Sequence, residues 1–74
     1  MELHEQAVPA GSAAVGRRLV DLHLPPGALV VLISRGEEFT VPQGSTTLEA
    51  GDTLLLLADR STLPAALAVI EGRD

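Results

Sequence analysis

Leu29-Val30-Val31-Leu32-Ile33 and Leu54-Leu55-Leu56-Leu57 are two unbroken apolar runs, separated by the mostly polar stretch from Ser34 to Asp52. A strand that is apolar at every position, rather than at every second one, is covered on both faces. The chain has only 74 residues with which to cover them. A domain of this size buries about 60% of the surface its unfolded chain exposes, so its own core is marginal. The two runs therefore define a central pair of strands. The chain itself can roof one face of that pair, and the other face calls for a cover from outside.

Working outward, Ala28 to Ser34 reads as a strand and Arg35-Gly36-Glu37 as a tight hairpin turn, with glycine free to take a positive φ. Glu38-Phe39-Thr40-Val41 alternates polar and apolar, which marks a strand with one wet face. Pro42 ends that strand, Leu48 tucks into the core, and Thr53 to Ala58 forms the last strand. At the other end, Leu3 to Val8 reads as a first strand closed by Pro9-Ala10-Gly11. Ser12 is a suitable N-cap, and Val15, Leu19 and Leu22 recur at helical spacing behind it. This predicts a short amphipathic helix in which Gly16 costs about 1 kcal/mol relative to alanine. A second helix follows Asp59-Arg60-Ser61-Thr62, with Pro64 in its first turn, Leu63, Ala66, Leu67 and Ile70 on its apolar face, and Gly72 as its stop.

The expected fold is therefore α+β, in the order β-α-β-β-β-α, as one domain over residues 1–74. It has a small, mostly antiparallel sheet with two helices on one face. Strict alternation sends Leu29, Val31 and Ile33 to one side and Val30 and Leu32 to the other, just as Leu54 and Leu56 oppose Leu55 and Leu57. The unroofed set makes a contiguous apolar patch of the kind found at interaction sites. A homodimer is expected to bury it, two-fold homodimers being the commonest oligomers. The alternative is that loops and the first strand wrap round to cover it.

Composition removes several classes of function. The net charge is −5, which disfavours binding to phosphate backbones, so no nucleic-acid partner is expected. Phe39 is the only aromatic residue, leaving no platform on which bases could stack. There is no cysteine to form a disulfide or a thiolate metal site. All five cations are arginines, and without lysine the chain cannot carry lipoate or biotin. The apolar runs are too short to span a bilayer, which takes about 20 residues as a helix. Met1-Glu2-Leu3-His4-Glu5 lacks the basic start of a signal peptide, so the chain reads as a soluble cytoplasmic domain.

Catalysis finds no support. Ser12, Ser34, Ser45 and Ser61 lack a nucleophile-elbow setting, and the acidic residues sit mostly at turns. Glu49 and Asp52 flank Gly51, where a hydrogen bond between Asp52 and nearby backbone explains them better than chemistry does. His4 and His23 match no metal-ligand spacing, so no metal is expected. Arg35 is the candidate ligand-binding residue, because its planar guanidinium follows the apolar strand directly and suits phosphate or carboxylate. Ser34 would share that site. The competing reading pairs Arg35 with Glu37 or Glu38 on the surface, where it contributes about 0–1 kcal/mol.

Ser12-Ala13-Ala14-Val15-Gly16-Arg17-Arg18-Leu19, Leu22-His23-Leu24-Pro25, Ile33-Ser34-Arg35-Gly36, Val41-Pro42 and Thr47-Leu48-Glu49-Ala50-Gly51-Asp52-Thr53-Leu54 together resemble the TrkA-C domain, also called RCK-C. The resemblance runs from Glu5 to Ile70. The segment Gly36-Glu37-Glu38-Phe39-Thr40-Val41-Pro42-Gln43-Gly44 looks most like the cytoplasmic tail of bacterial potassium/proton or sodium/proton antiporters. The resemblance implies a regulatory module that dimerises beside a transmembrane transport domain. In some relatives it binds a small anionic effector, such as a cyclic dinucleotide, at the dimer interface, and a basic residue at the position of Arg35 recurs in the pattern. It also implies that the chain is part of a larger transporter. The glycine-rich fingerprint for NAD is missing, so no cofactor is expected. A purely structural dimerisation module without a ligand is the alternative.

Overall fold

A computed structural model describes residues 1–72. In chain order the elements are β1 (Glu2–Ala7), α1 (Leu19–Leu22), β2 (Ala28–Arg35), β3 (Glu38–Thr40), β4 (Thr53–Ala58) and α2 (Leu63–Glu71). The strands form one four-stranded sheet in the order β1-β4-β2-β3, with every pairing antiparallel. The two apolar runs thus lie side by side at its centre, as strands buried on both faces should. A turn at Gly36-Glu37 joins β2 to β3, with Arg35 opposite Glu38.

The core lies on the helix side of the sheet. There Val30, Ile33, Leu54, Leu56 and Ala58 pack with Val8, Leu22, Leu48, Ala66 and Ile70, all buried. The β4 alternation follows the sequence reading, with Leu54 and Leu56 inside and Leu55 and Leu57 half-buried on the outer face. Strand β2 departs from it. Val30 pairs with Leu56 and Leu32 with Leu55, so the register shifts between them. The extra residue puts Val30 and Ile33 on one face and leaves Leu29 and Leu32 on the other. A strict period of two had grouped Ile33 with Leu29. One added residue reverses every side chain beyond it.

The first helix is shorter than its apolar spacing suggests. Residues 13–16 form successive turns, and only Leu19–Leu22 is helical. Gly16 has φ +83, a left-handed conformation that no right-handed helix contains. Val15 N–H and Arg17 N–H bond locally, to Ser12 O and Ala14 O, but other donors here bond across the chain. Gly16 N–H donates to Leu48 O, Leu19 N–H to Thr46 O and Val20 N–H to Gly44 O, while Leu48 N–H donates to Arg17 O. Residues 16–20 and 44–48 are thereby zipped together. The intended apolar face still works, since Leu22 is buried and Val15 and Leu19 pack against the core.

Ser12 caps only its own turn, accepting from Ala14 N–H at 3.0 Å, and its hydroxyl donates to Ile70 O of α2 at 2.6 Å. Helix α2 has Pro64 in its first turn and ends where Gly72 N–H donates to Ala68 O. Its expected face holds, with Ala66 and Ile70 buried and Leu63 and Leu67 half-buried. Strand β3 stops at Thr40 and is exposed throughout, so Val41 falls outside it. Among the described residues, no helix is long and apolar enough to cross a membrane.

Candidate functional site

The antiparallel register of the two central strands sets Ser34 opposite Thr53, which carries Arg35 toward Asp52 at the sheet's end. Arg35 Nε donates to Asp52 Oδ1 and Nη2 to Asp52 Oδ2, both at 2.8 Å, in the fork geometry that matches a carboxylate. Nη1 lies 2.7 Å from Glu49 Oε2, and Nη2 also donates to Thr47 O at 3.1 Å. Asp52 is buried, and its Oδ2 accepts the backbone N–H of Glu49 at 2.9 Å. The hydrogen bonds from Arg35 hold the Asp52 carboxyl below the usual carboxylate range. Burial opposes that shift, and the Glu49 N–H adds to it.

Arg35 therefore pairs with Asp52 and Glu49 rather than with Glu37 or Glu38, its neighbours across the hairpin. The backbone hydrogen bond expected at Asp52 is present. Ser34 and Arg35 are consecutive on a strand and so belong to opposite faces of the sheet. Ser34 faces outward with Phe39 and Thr53, its partners on β3 and β4. The structure does not bring the two candidates together. Among the described residues, no three His, Cys, Asp or Glu side chains converge on a metal site.

Two further apolar features stand beside this pair: a groove that sequence reasoning missed, and the outer sheet face that it expected. The first is a groove of about 270 Å³ between α1, the start of β2 and the turn after β3. Leu19, Val20, Leu24, Leu29 and Pro42 give it apolar walls, and Gln43 supplies a polar side chain. It exists because Gly44 and Thr46 are zipped to Val20 and Leu19, a contact between segments distant in sequence. The second is the outer sheet face, where the register groups Leu3, Leu29, Leu32, Leu55, Leu57 and Phe39. Leu3, Leu29 and Phe39 are more than half exposed. Leu29 belongs to both features, so face and groove form one continuous apolar surface.

A sequence signal for the Arg35–Asp52 pair did exist. Arg35 closes one apolar run and Asp52 opens the other, apart from single flanking residues. Antiparallel pairing of the runs brings these ends together. The groove had no comparable signal, since its walls come from turns whose path depends on backbone hydrogen bonds.

The family model for the TrkA-C domain matches residues 3–70. The Trk system potassium uptake protein TrkA homolog of Archaeoglobus fulgidus is 42% identical over 53 residues, which is 72% of this chain and 12% of that protein. The chain thus spans a small part of this relative's length. The RCK_C domain dimer of S. agalactiae BusR, solved in complex with c-di-AMP, superimposes with a TM-score of 0.78 at 23% identity, covering 96% of each chain. The RCK C domain of the potassium transport protein KtrA, also solved with c-di-AMP, gives a TM-score of 0.78 at 26% identity. That match covers 89% of this chain and 79% of the other. With its sheet order and its central apolar strands, and with the family model matching residues 3–70, this chain belongs to the TrkA-C (RCK-C) family.

Proposed function

We propose that this chain is the effector-sensing dimerisation module of a membrane cation transport system. The observation that carries this reading is the continuity of the exposed outer sheet face with the groove through Leu29. A contiguous apolar face of this kind marks an interaction site, and a second copy of the chain is the proposed cover. Small-molecule sites usually measure about 300–1,000 Å³. A groove of about 270 Å³ falls just short of that range, room for one base rather than a whole dinucleotide. Two grooves joined across a dimer would accommodate a cyclic dinucleotide such as c-di-AMP. Both solved relatives described above were captured with that ligand.

In this reading the domain lies on the cytoplasmic side, as a single regulatory unit of a larger protein, joined to a transmembrane transport domain in the same or a partner chain. The finer assignment is a potassium/proton or sodium/proton antiporter, supported by the residues from Gly36 to Gly44. The effector favours one dimer geometry, and the transport domain responds to that shift. It acts only to the extent that it binds the two geometries unequally. Ser34 takes part in the dimer face beside Phe39, and Arg35 supports the groove wall.

Calorimetric titration with c-di-AMP, paired with sedimentation, tests this function. Saturable binding by a dimer, abolished by Val20→Glu in the groove, is the expected result. A second reading, assembly without any ligand, draws on Arg35 having its donors already engaged by Asp52, Glu49 and Thr47 O. A dimer that binds none of c-di-AMP, other nucleotides or simple anions would establish that alternative.

A further inference from the structure

We propose that Arg35 and Asp52 are positioning residues for the groove: they hold the 44–48 segment that backs one of its walls, and so set ligand affinity without touching the ligand. This rests on the effector-binding reading of the groove given above.

Gln43 and Gly44 line the groove together with Leu19, Val20, Leu24 and Leu29. The segment from Pro42 to Thr47 contributes no buried side chain, so packing does little to place it. Leu48, fully buried, anchors its far end. Between that anchor and the groove, the segment is held by backbone bonds from Leu19 N–H to Thr46 O and from Val20 N–H to Gly44 O. From the sheet side it is held by Arg35, whose Nη2 donates to Thr47 O. Within the turn, Thr46 N–H donates to Gln43 O and Gln43 N–H to Thr46 Oγ1, which shapes the turn but does not place it.

Arg35 can reach Thr47 O because Asp52 fixes the guanidinium plane through two 2.8 Å hydrogen bonds. Asp52 is in turn held by its own burial and by Glu49 N–H. The chain of contacts therefore runs from the base of β4 through Arg35 to the wall. Arg35 does not line the groove. Its Nε and both Nη groups already have oxygen partners, which leaves it a poor direct ligand contact and a good brace. Glu49 is more exposed than Arg35 and is dispensable to the brace.

Amide hydrogen exchange on the ligand-free chain and calorimetry with c-di-AMP test the inference together. In Asp52→Asn, exchange at Leu19 and Val20 is expected to accelerate roughly tenfold beyond any change at Leu55 and Leu56, because local opening moves only the amides it releases. A merely structural contribution would accelerate all of these amides alike. Affinity for c-di-AMP is expected to fall about tenfold in Asp52→Asn and in Arg35→Gln, with the double variant no worse than either, as for residues acting as one unit. Glu49→Gln stays within about twofold of the parent, as a contact of exposed charges would.

Uniform or unchanged exchange at Leu19 and Val20 would overturn the proposal. So would a loss of affinity in Arg35→Gln with none in Asp52→Asn, which would make Arg35 a direct contact. If Asp52→Asn does not fold, Arg35→Gln carries the exchange measurement. If the parent chain binds no c-di-AMP, the effector reading fails, and selective exchange at Leu19 and Val20 still decides whether the brace holds the wall.

Discussion

Asp52 receives Nε and Nη2 of Arg35 at 2.8 Å each, with its own side chain only 1% exposed and that of Arg35 44% exposed. A buried carboxylate without a partner is strongly unfavourable, and here the fork of Arg35 and the Glu49 N–H satisfy it. The pair ties the end of β2 to the start of β4, the open end of the two central strands.

That geometry makes part of the stability depend on pH. The folded Asp52 carboxyl lies below its ordinary value, which is about 4 in an unfolded chain. Its contribution is therefore complete above that ordinary value. It is lost as pH falls through the unfolded pKa toward the lower folded one. Urea unfolding should show Asp52→Asn less stable than the parent by about 2 kcal/mol at neutral pH, as for hydrogen bonds to a charged group. The gap should close below about pH 4. A gap that is constant down to pH 3 would show that the charge on Asp52 contributes nothing.

The outer face should be sensitive to charge in the assembly and not in the fold. Leu55 is central on that face, between Glu5 of β1 and Leu32 of β2, and is half-buried in the single chain. Leu55→Glu should yield a folded monomer of 7.7 kDa by sedimentation, where the parent is expected to sediment as a dimer. A parent already monomeric at micromolar loading would count against the dimer itself.

Two glycines separate backbone strain from side-chain crowding. Gly16 has φ +83 and open space where a Cβ would stand, so Gly16→Ala should cost about 1–2 kcal/mol from conformation alone. Gly27 has φ +90, and a Cβ there would lie 2.9 Å from Asp59 Oδ2 and 3.2 Å from Thr62 Oγ1. Gly27→Ala should cost more than Gly16→Ala in paired thermal and urea melts. Equal costs would mean that Asp59 and Thr62 move aside freely.

The buried hydroxyl of Ser12 bonds to Ile70 O at 2.6 Å and accepts from Ala14 N–H at 3.0 Å. Ser12→Ala should destabilise the chain by about 1–3 kcal/mol by leaving these groups unpaired. Hydrogen exchange should quicken first at the last turn of α2. Melts indistinguishable from the parent would mean that water replaces the hydroxyl at no cost.

The linear order of residues was sufficient for the element order and for β4, whose expected span, Thr53 to Ala58, is the observed one. It was sufficient, too, for Leu48 in the core and for an apolar surplus on the sheet. Period and turn chemistry are local, and local signals survive folding. Other features depend on contacts between distant segments. The extra residue near Val31 changed which β2 side chains face the core, because burying both Val30 and Ile33 outweighed regular pairing. Residues 13–16 did not extend the first helix, because Gly16 turned left-handed and its donor found Leu48 O. Arg35 chose Asp52 and Glu49 over its hairpin neighbours, because strand register delivered a buried carboxylate to it. The groove arose the same way, from backbone hydrogen bonds between segments more than twenty positions apart. Such bonds carry no side-chain signature, so only the assembled tertiary structure could place them.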